Sequence, residues 1–193
     1  MTKLLHNRLV VSFTVLIAIA LVILMAGLYP VALVNNRPIW RSHLRKSEEA
    51  EKRLTNTQAK SLGFKPVNFT SSTNQDLLNG LRQDILTTLI EGKIIEEEGK
   101  SVVEKFEELS QKRMMDTLQG GGTDLSKAVR TVYNLSLKDF ENMVLLPQAR
   151  RDVLRVFLAN EGKNFEEWLK DIKGKTKIRL FLVPFRWDGE RVK

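Results

Sequence analysis

The chain has 193 residues, enough for one domain of ordinary size with a terminal addition, and carries 31 Lys and Arg against 23 Asp and Glu, a formal net charge of +8. The charges of both signs are interspersed, as in "KSEEAEKR" and "KFEELSQKR", and no basic block is interleaved with aromatics, so nucleic acid is not an expected partner. The absence of cysteine excludes disulfides, thiol catalysis and cysteine metal sites, and the two histidines, His6 and His43, lie too far apart in sequence to suggest a cluster.

Between Arg8 and Arg37 there is no charged residue, and residues 9–29 are almost continuously apolar. About 20 residues at ~1.5 Å each span a ~30 Å hydrocarbon core, and only a helix satisfies its backbone there. The expectation is an uncleaved membrane anchor over 9–29. Lys3 and Arg8 place residues 1–8 in the cytoplasm and residues 30–193 outside it, at the cell membrane. A cleaved signal peptide is the competing reading, but its apolar region is usually shorter (~7–15 residues) and ends at a small-residue site that fits poorly here. A pilin-like segment would need an early acidic residue that is missing.

Past Tyr29 the pattern is mostly helical. Val31–Val34 is a short strand, Asn35-Asn36 a turn, and Pro38 a helix entry, with a Glu-, Lys- and Ala-rich helix from Trp40 to about Lys60. Its apolar stripe (Ile39, Leu44, Leu54) is thin, which predicts an exposed helix. After a loop over 62–74, Thr73 with Asp76 suggests a capping box, and the helix that follows carries Leu78, Leu81, Ile85, Leu89 and Ile94 at three- and four-residue spacing. A third helix is predicted from Val102 to Gln119, stopped by Gly120-Gly121-Gly122. That glycine run lacks the Lys and the preceding strand of a phosphate loop. A short helix with Val129 and Tyr133 comes next, then one capped by Ser136 and divided at Pro147, then one opened by Asn164 and closed by Gly174. Over 177–182 the period changes to two, with Ile178, Leu180 and Leu182 on one face, and Pro184 ends the strand. A lone strand leaves its amides unpaired, so the two predicted strands should pair with each other. The expected fold is mainly α, a helical domain closed by a two-stranded sheet.

"VALVNNRPIWRSHL", "LRQDILTTLIEGKIIEEEGK", "LSLKDFENMV" and "FEEWLKDIKGKTKIRLFL" occur in this order, and in that order the chain from about Val31 to Val183 resembles the N-terminal chaperone domain of the SurA family, also seen in PrsA-type foldases. The resemblance departs in one detail and one domain. Trp40 stands where the family has Thr or Ser after Pro-Ile, and there is no room for the parvulin-type isomerase domain that many members carry. It therefore implies a chaperone part without catalysis, with unfolded or extended polypeptides as partners.

The residues themselves suggest no catalytic, cofactor or metal site. Glu96-Glu97-Glu98 diverge by ~100° per residue on a helix and read as a solvated face. Met114, Met115, Leu118, Phe140 and Met143 are the candidate client-binding residues, because flexible, polarizable methionines suit varied apolar partners. The same residues could fill a helical core. Two other functions stay open: an adaptor for one envelope partner, and a diverged prolyl isomerase.

Overall fold

The computed structural model of the chain describes Val22, Met25 and residues 27–120 and 124–193. The predicted anchor thus lies largely outside the described residues, as does the predicted stretch 1–8; among the described residues no helix is long and apolar enough to cross a membrane.

The order of elements is β1 (Pro30–Val34), β2 (Arg37–Trp40), α1 (Arg41–Ser61), α2 (Gln75–Val102), α3 (Phe106–Gly120), α4 (Leu125–Tyr133), α5 (Leu137–Phe140), α6 (Leu146–Asn160), α7 (Phe165–Lys175) and β3 (Ile178–Leu180). A 3-10 turn over Ser72–Asn74 precedes α2, and a π-helical turn over Glu141–Leu145 joins α5 to α6. The molecule is mainly helical, with one small antiparallel sheet.

That sheet has three strands in the order β2-β1-β3. The expected pairing of the two ends is present: Ala32 faces Leu180, Leu33 faces Arg179 and Val34 faces Ile178. Asn35 clasps the junction, since its amide donates to the Lys177 carbonyl at 3.0 Å and its Oδ1 accepts from the Lys177 amide at 3.1 Å. The third strand is a correction to the two-stranded expectation. Asn35 and Asn36 both take positive φ, 47° and 70°, which is the geometry of a tight two-residue hairpin. Pro38 therefore sits opposite Leu33 on the edge strand β2, where a missing amide hydrogen is tolerated, and does not open a helix. Helix α1 starts three residues later. Its first amides are satisfied by the chain that leads into β1, Arg41 N donating to Tyr29 O at 2.9 Å and Ser42 N to Gly27 O at 3.1 Å.

Helix α2 is the central pillar. Leu86, Ile90, Ile94 and Ile95 are buried along it, against Val31 and Val34 of the sheet, Leu154 and Leu158 of α6, and Phe165 and Leu169 of α7. Its start differs from the expected capping box: Asn74 is the N-cap, with no side-chain hydrogen bond. Its end also differs. Val102 and Val103 belong to the end of α2 and not to the third helix, because Lys105 takes a φ of 56° and reverses the chain before Phe106. The reversal lays the Phe106 ring on Gly99, where an added Cβ would fall 2.3 Å from the ring, so only glycine fits. The two remaining predicted caps form as expected. Ser136 Oγ accepts from Asp139 N at 3.0 Å, and Asn164 Oδ1 accepts from Glu166 N and Glu167 N at 2.8 and 3.1 Å. Gly174 does not stop α7, which continues to Lys175.

The last residues return to the core. Val192 is buried, donates its amide to Thr87 Oγ1 at 3.0 Å and bridges to Trp187. A second, smaller apolar cluster gathers Ala50, Val129, Leu135 and Phe140 under α4 and α5.

One core-facing group gives the fold a pH dependence. His43 on α1 has its Nε2 buried without a hydrogen-bond partner. Burial, and after it the nearby charges of Lys93 and Lys46, hold its pKa below the ordinary 6.5. The folded state prefers the neutral ring, so the unfolded chain takes up the proton more readily. Stability is full above pH 6.5 and falls as pH drops below it toward the folded value. Thermal melts between pH 7.5 and about 5 should show this decline in the native chain and a smaller one in His43→Leu; parallel curves would contradict it. The paired carboxylates Glu48 and Glu96, also held low, add their losses only at more acidic pH.

Candidate functional site

Among the described residues a groove of about 590 Å³ follows the seam between the two apolar clusters. One wall is α1, through Ser47, Ala50, Glu51 and Leu54; the floor is α2, through Leu81, Ile85, Leu89, Gly92 and Ile95. The opposite wall combines Tyr133, the last residue of α4, and Leu135 just beyond it with Met143, Val144 and Pro147.

Local chemistry explains each wall. Leu81, Ile85 and Leu89 are spaced by four and form one stripe of α2. Gly92 interrupts the apolar side chains, and nothing lies within 4 Å of where its Cβ would be, so the floor is left open there. On the far wall, Pro147 has no amide hydrogen to give to the Met143 carbonyl. The ladder widens into the π turn at Glu141–Leu145, with Leu146 N donating to Glu141 O, and α6 restarts with Pro147 in its first turn. This widened turn presents Met143 and Val144 to the groove. The predicted division at Pro147 is therefore present, in the form of a π turn.

Of the charged residues that line the groove, Arg151 is ion-paired, whereas Glu51 and Asp84 have no ion-pair partner among the described residues. Glu48 is buried behind the α1 wall and accepts from Arg82 Nε and Nη2, both at 3.1 Å, with Lys52 as a third partner. Burial alone would raise its pKa, but the hydrogen bonds from Arg82 and Lys52 outweigh it and hold the carboxylate low. Arg151, at the other rim, is paired with Glu91 at 2.9 Å, and Lys173 shares the same carboxylate. Such a site offers apolar area and a few polar groups, Ser47, Glu51, Asp84 and Thr88 among them. Among the described residues no cluster of three acidic or histidine side chains is placed to hold a metal ion. Glu96 pairs with Lys93, Lys100 and Arg150, and Glu97 with Arg37, so two of the three carboxylates in this acidic run are engaged in ion pairs.

The five residues singled out from sequence are not gathered in one place. Met143 lines the groove. Phe140 is buried behind it, its ring 5.1 Å from that of Tyr133, and supports the wall. Met114, Met115 and Leu118 lie on α3, outside the groove lining; Met115 is exposed and the other two are half-buried. Leu54, Leu81, Leu89 and Tyr133 are groove residues that sequence reasoning missed. For Leu81 and Leu89 the signal was the four-residue stripe on α2, which reads equally well as core.

A second, shallower concavity of about 450 Å³ lies between α3 and α6, where Leu109 and Val156 are exposed among Lys112, Arg113, Asp116 and Asp152.

No family model, no curated protein and no solved structure matches the chain.

Proposed function

We propose that the chain is a membrane-anchored, extracytoplasmic, chaperone-like protein that holds extended or unfolded segments of exported polypeptides in the groove between α1, α2 and the π turn. The observation that carries this reading is the groove itself: largely apolar, with a few charged groups at its edge and walled on one side by Met143 and Val144. An extended segment brings alternating apolar side chains and a backbone that stays hydrated at the open mouth. Binding of this kind draws on apolar burial, at ~25 cal/mol per Å², and tolerates varied sequences. The resemblance to the SurA N-terminal domain points the same way. It also makes catalysis unnecessary.

The full chain in lipid nanodiscs should suppress aggregation of a urea-unfolded polypeptide at near-stoichiometric amounts. Folded protein that gives no more suppression than empty nanodiscs would contradict the reading. The concavity between α3 and α6 favours a second one. An apolar centre of Leu109 and Val156 ringed by charge is the anatomy of a protein interface, as an adaptor for one envelope partner would need. Crosslinking that recovers a single stoichiometric partner, and no spread of clients, would select it.

A further inference from the structure

The end of the sheet nearest the apolar N-terminal run is unusually rich in exposed apolar side chains. Pro30 is paired with Trp40, and Phe181 N donates to Val31 O at 2.9 Å, so Leu28, Trp40, Phe181 and Leu182 share this end. Leu28 is 57% exposed, Trp40 43% and Leu182 76%. Leu182 is also held at a φ of 53°, a region in which a bulky side chain is strained. A leucine displayed to solvent from strained backbone is poorly explained by folding alone. Arg41 and Arg45, one turn apart at the start of α1, add positive charge beside the cluster.

Residues 27 and 29, at the end of the apolar run, are tied to the start of α1. Gly27 O accepts from Ser42 N, and Tyr29 O from Arg41 N. If 9–29 spans the bilayer, Trp40 and its neighbours are held at its surface, where tryptophan is favoured at the headgroup level and arginine by anionic lipid. We propose that the sheet end formed by Leu28, Trp40, Phe181 and Leu182 rests in the headgroup layer, so that the domain is seated on the lipid at a fixed orientation and does not swing on a tether. This inference rests on the anchor reading of residues 9–29.

The cysteine-free chain lends itself to a direct test. Leu182→Cys, Phe64→Cys and Ala18→Cys, each carrying a nitroxide, are placed in the full chain in nanodiscs of phosphatidylcholine and phosphatidylglycerol. Phe64 is the control, since it is 68% exposed in the loop beyond the 21-residue α1. Collision rates with oxygen and with a water-soluble nickel chelate are compared. The expected result is an oxygen-to-nickel ratio several-fold higher at Leu182 than at Phe64. Equal ratios at Leu182 and Phe64, with Ala18 immersed in lipid, would overturn the seating and leave the anchor intact. Water access at Ala18 would overturn the anchor and the seating together.

Discussion

A chain ending at Thr176 is expected to lose its cooperative unfolding transition. The truncation removes β3, and with it the partner that closes one side of β1. Val31, Ala32 and Val34 are fully buried in that central strand, and their backbone groups would be left facing solvent or nothing. It also removes Ile178, Leu180, Val183, Phe185, Trp187 and Val192, all packed on the main core. Full burial of a large apolar side chain contributes about 1.5–3 kcal/mol, and most of these are half-buried. Even about 1 kcal/mol apiece reaches the lower end of a whole domain's stability, about 5–15 kcal/mol. Urea titration followed by tryptophan fluorescence, with Trp40 and Trp168 retained, reads this out. A sharp transition near the native midpoint would mean that the helices and the β1–β2 hairpin stand without β3.

The second large effect separates function from stability. Gly92→Leu should leave the fold as stable as the native chain or more so, and should weaken client holding by about tenfold, or ~1.4 kcal/mol of binding. A glycine inside a helix costs about 1 kcal/mol relative to better formers, and nothing stands within 4 Å of the Gly92 Cβ position, so leucine is accommodated without a clash. The new side chain occupies the floor of the groove between Leu89 and Ile95. Thermal melts and the aggregation assay are to be run on the same preparation. A variant that melts as the native chain and still holds clients as well would place the binding elsewhere.

Much of this architecture can be read from residue pattern, and the exceptions have physical causes. The union of the first and last strands follows from a simple requirement: Val31–Val34 and the alternating run at 177–182 are the two segments that read as strands, and each needs a partner. The second is shorter than its alternation predicts, ending at Leu180 before the positive φ of Leu182. The long face of α2 is equally plain in its three- and four-residue spacing. Strand β2 was hidden because Pro38 suits both a helix entry and an edge strand, and the choice depends on the hairpin made by Asn35 and Asn36. Burial of Val192 was hidden because chain ends normally fray, and only the position of Thr87 on α2 supplies its amide with an acceptor. The groove was the least legible feature. Met143 was singled out for its chemistry, but Met114, Met115 and Leu118 share that chemistry and lie on another helix. Which methionine faces a concavity depends on the π turn that Pro147 imposes, together with the seam between two apolar clusters, and neither is a property of local spacing.

The central claim is that unfolded polypeptide is held in the groove between α1, α2 and the π turn. Its most direct test is photo-crosslinking from a benzoylphenylalanine placed at Met143, compared with one at Val156 in the other concavity, with the full chain in nanodiscs and a urea-unfolded client. The account expects client adducts from Met143 at about tenfold or more over those from Val156, a difference of ~1.4 kcal/mol in occupancy. Adducts confined to Val156, or none from Met143 in a folded variant, would contradict it.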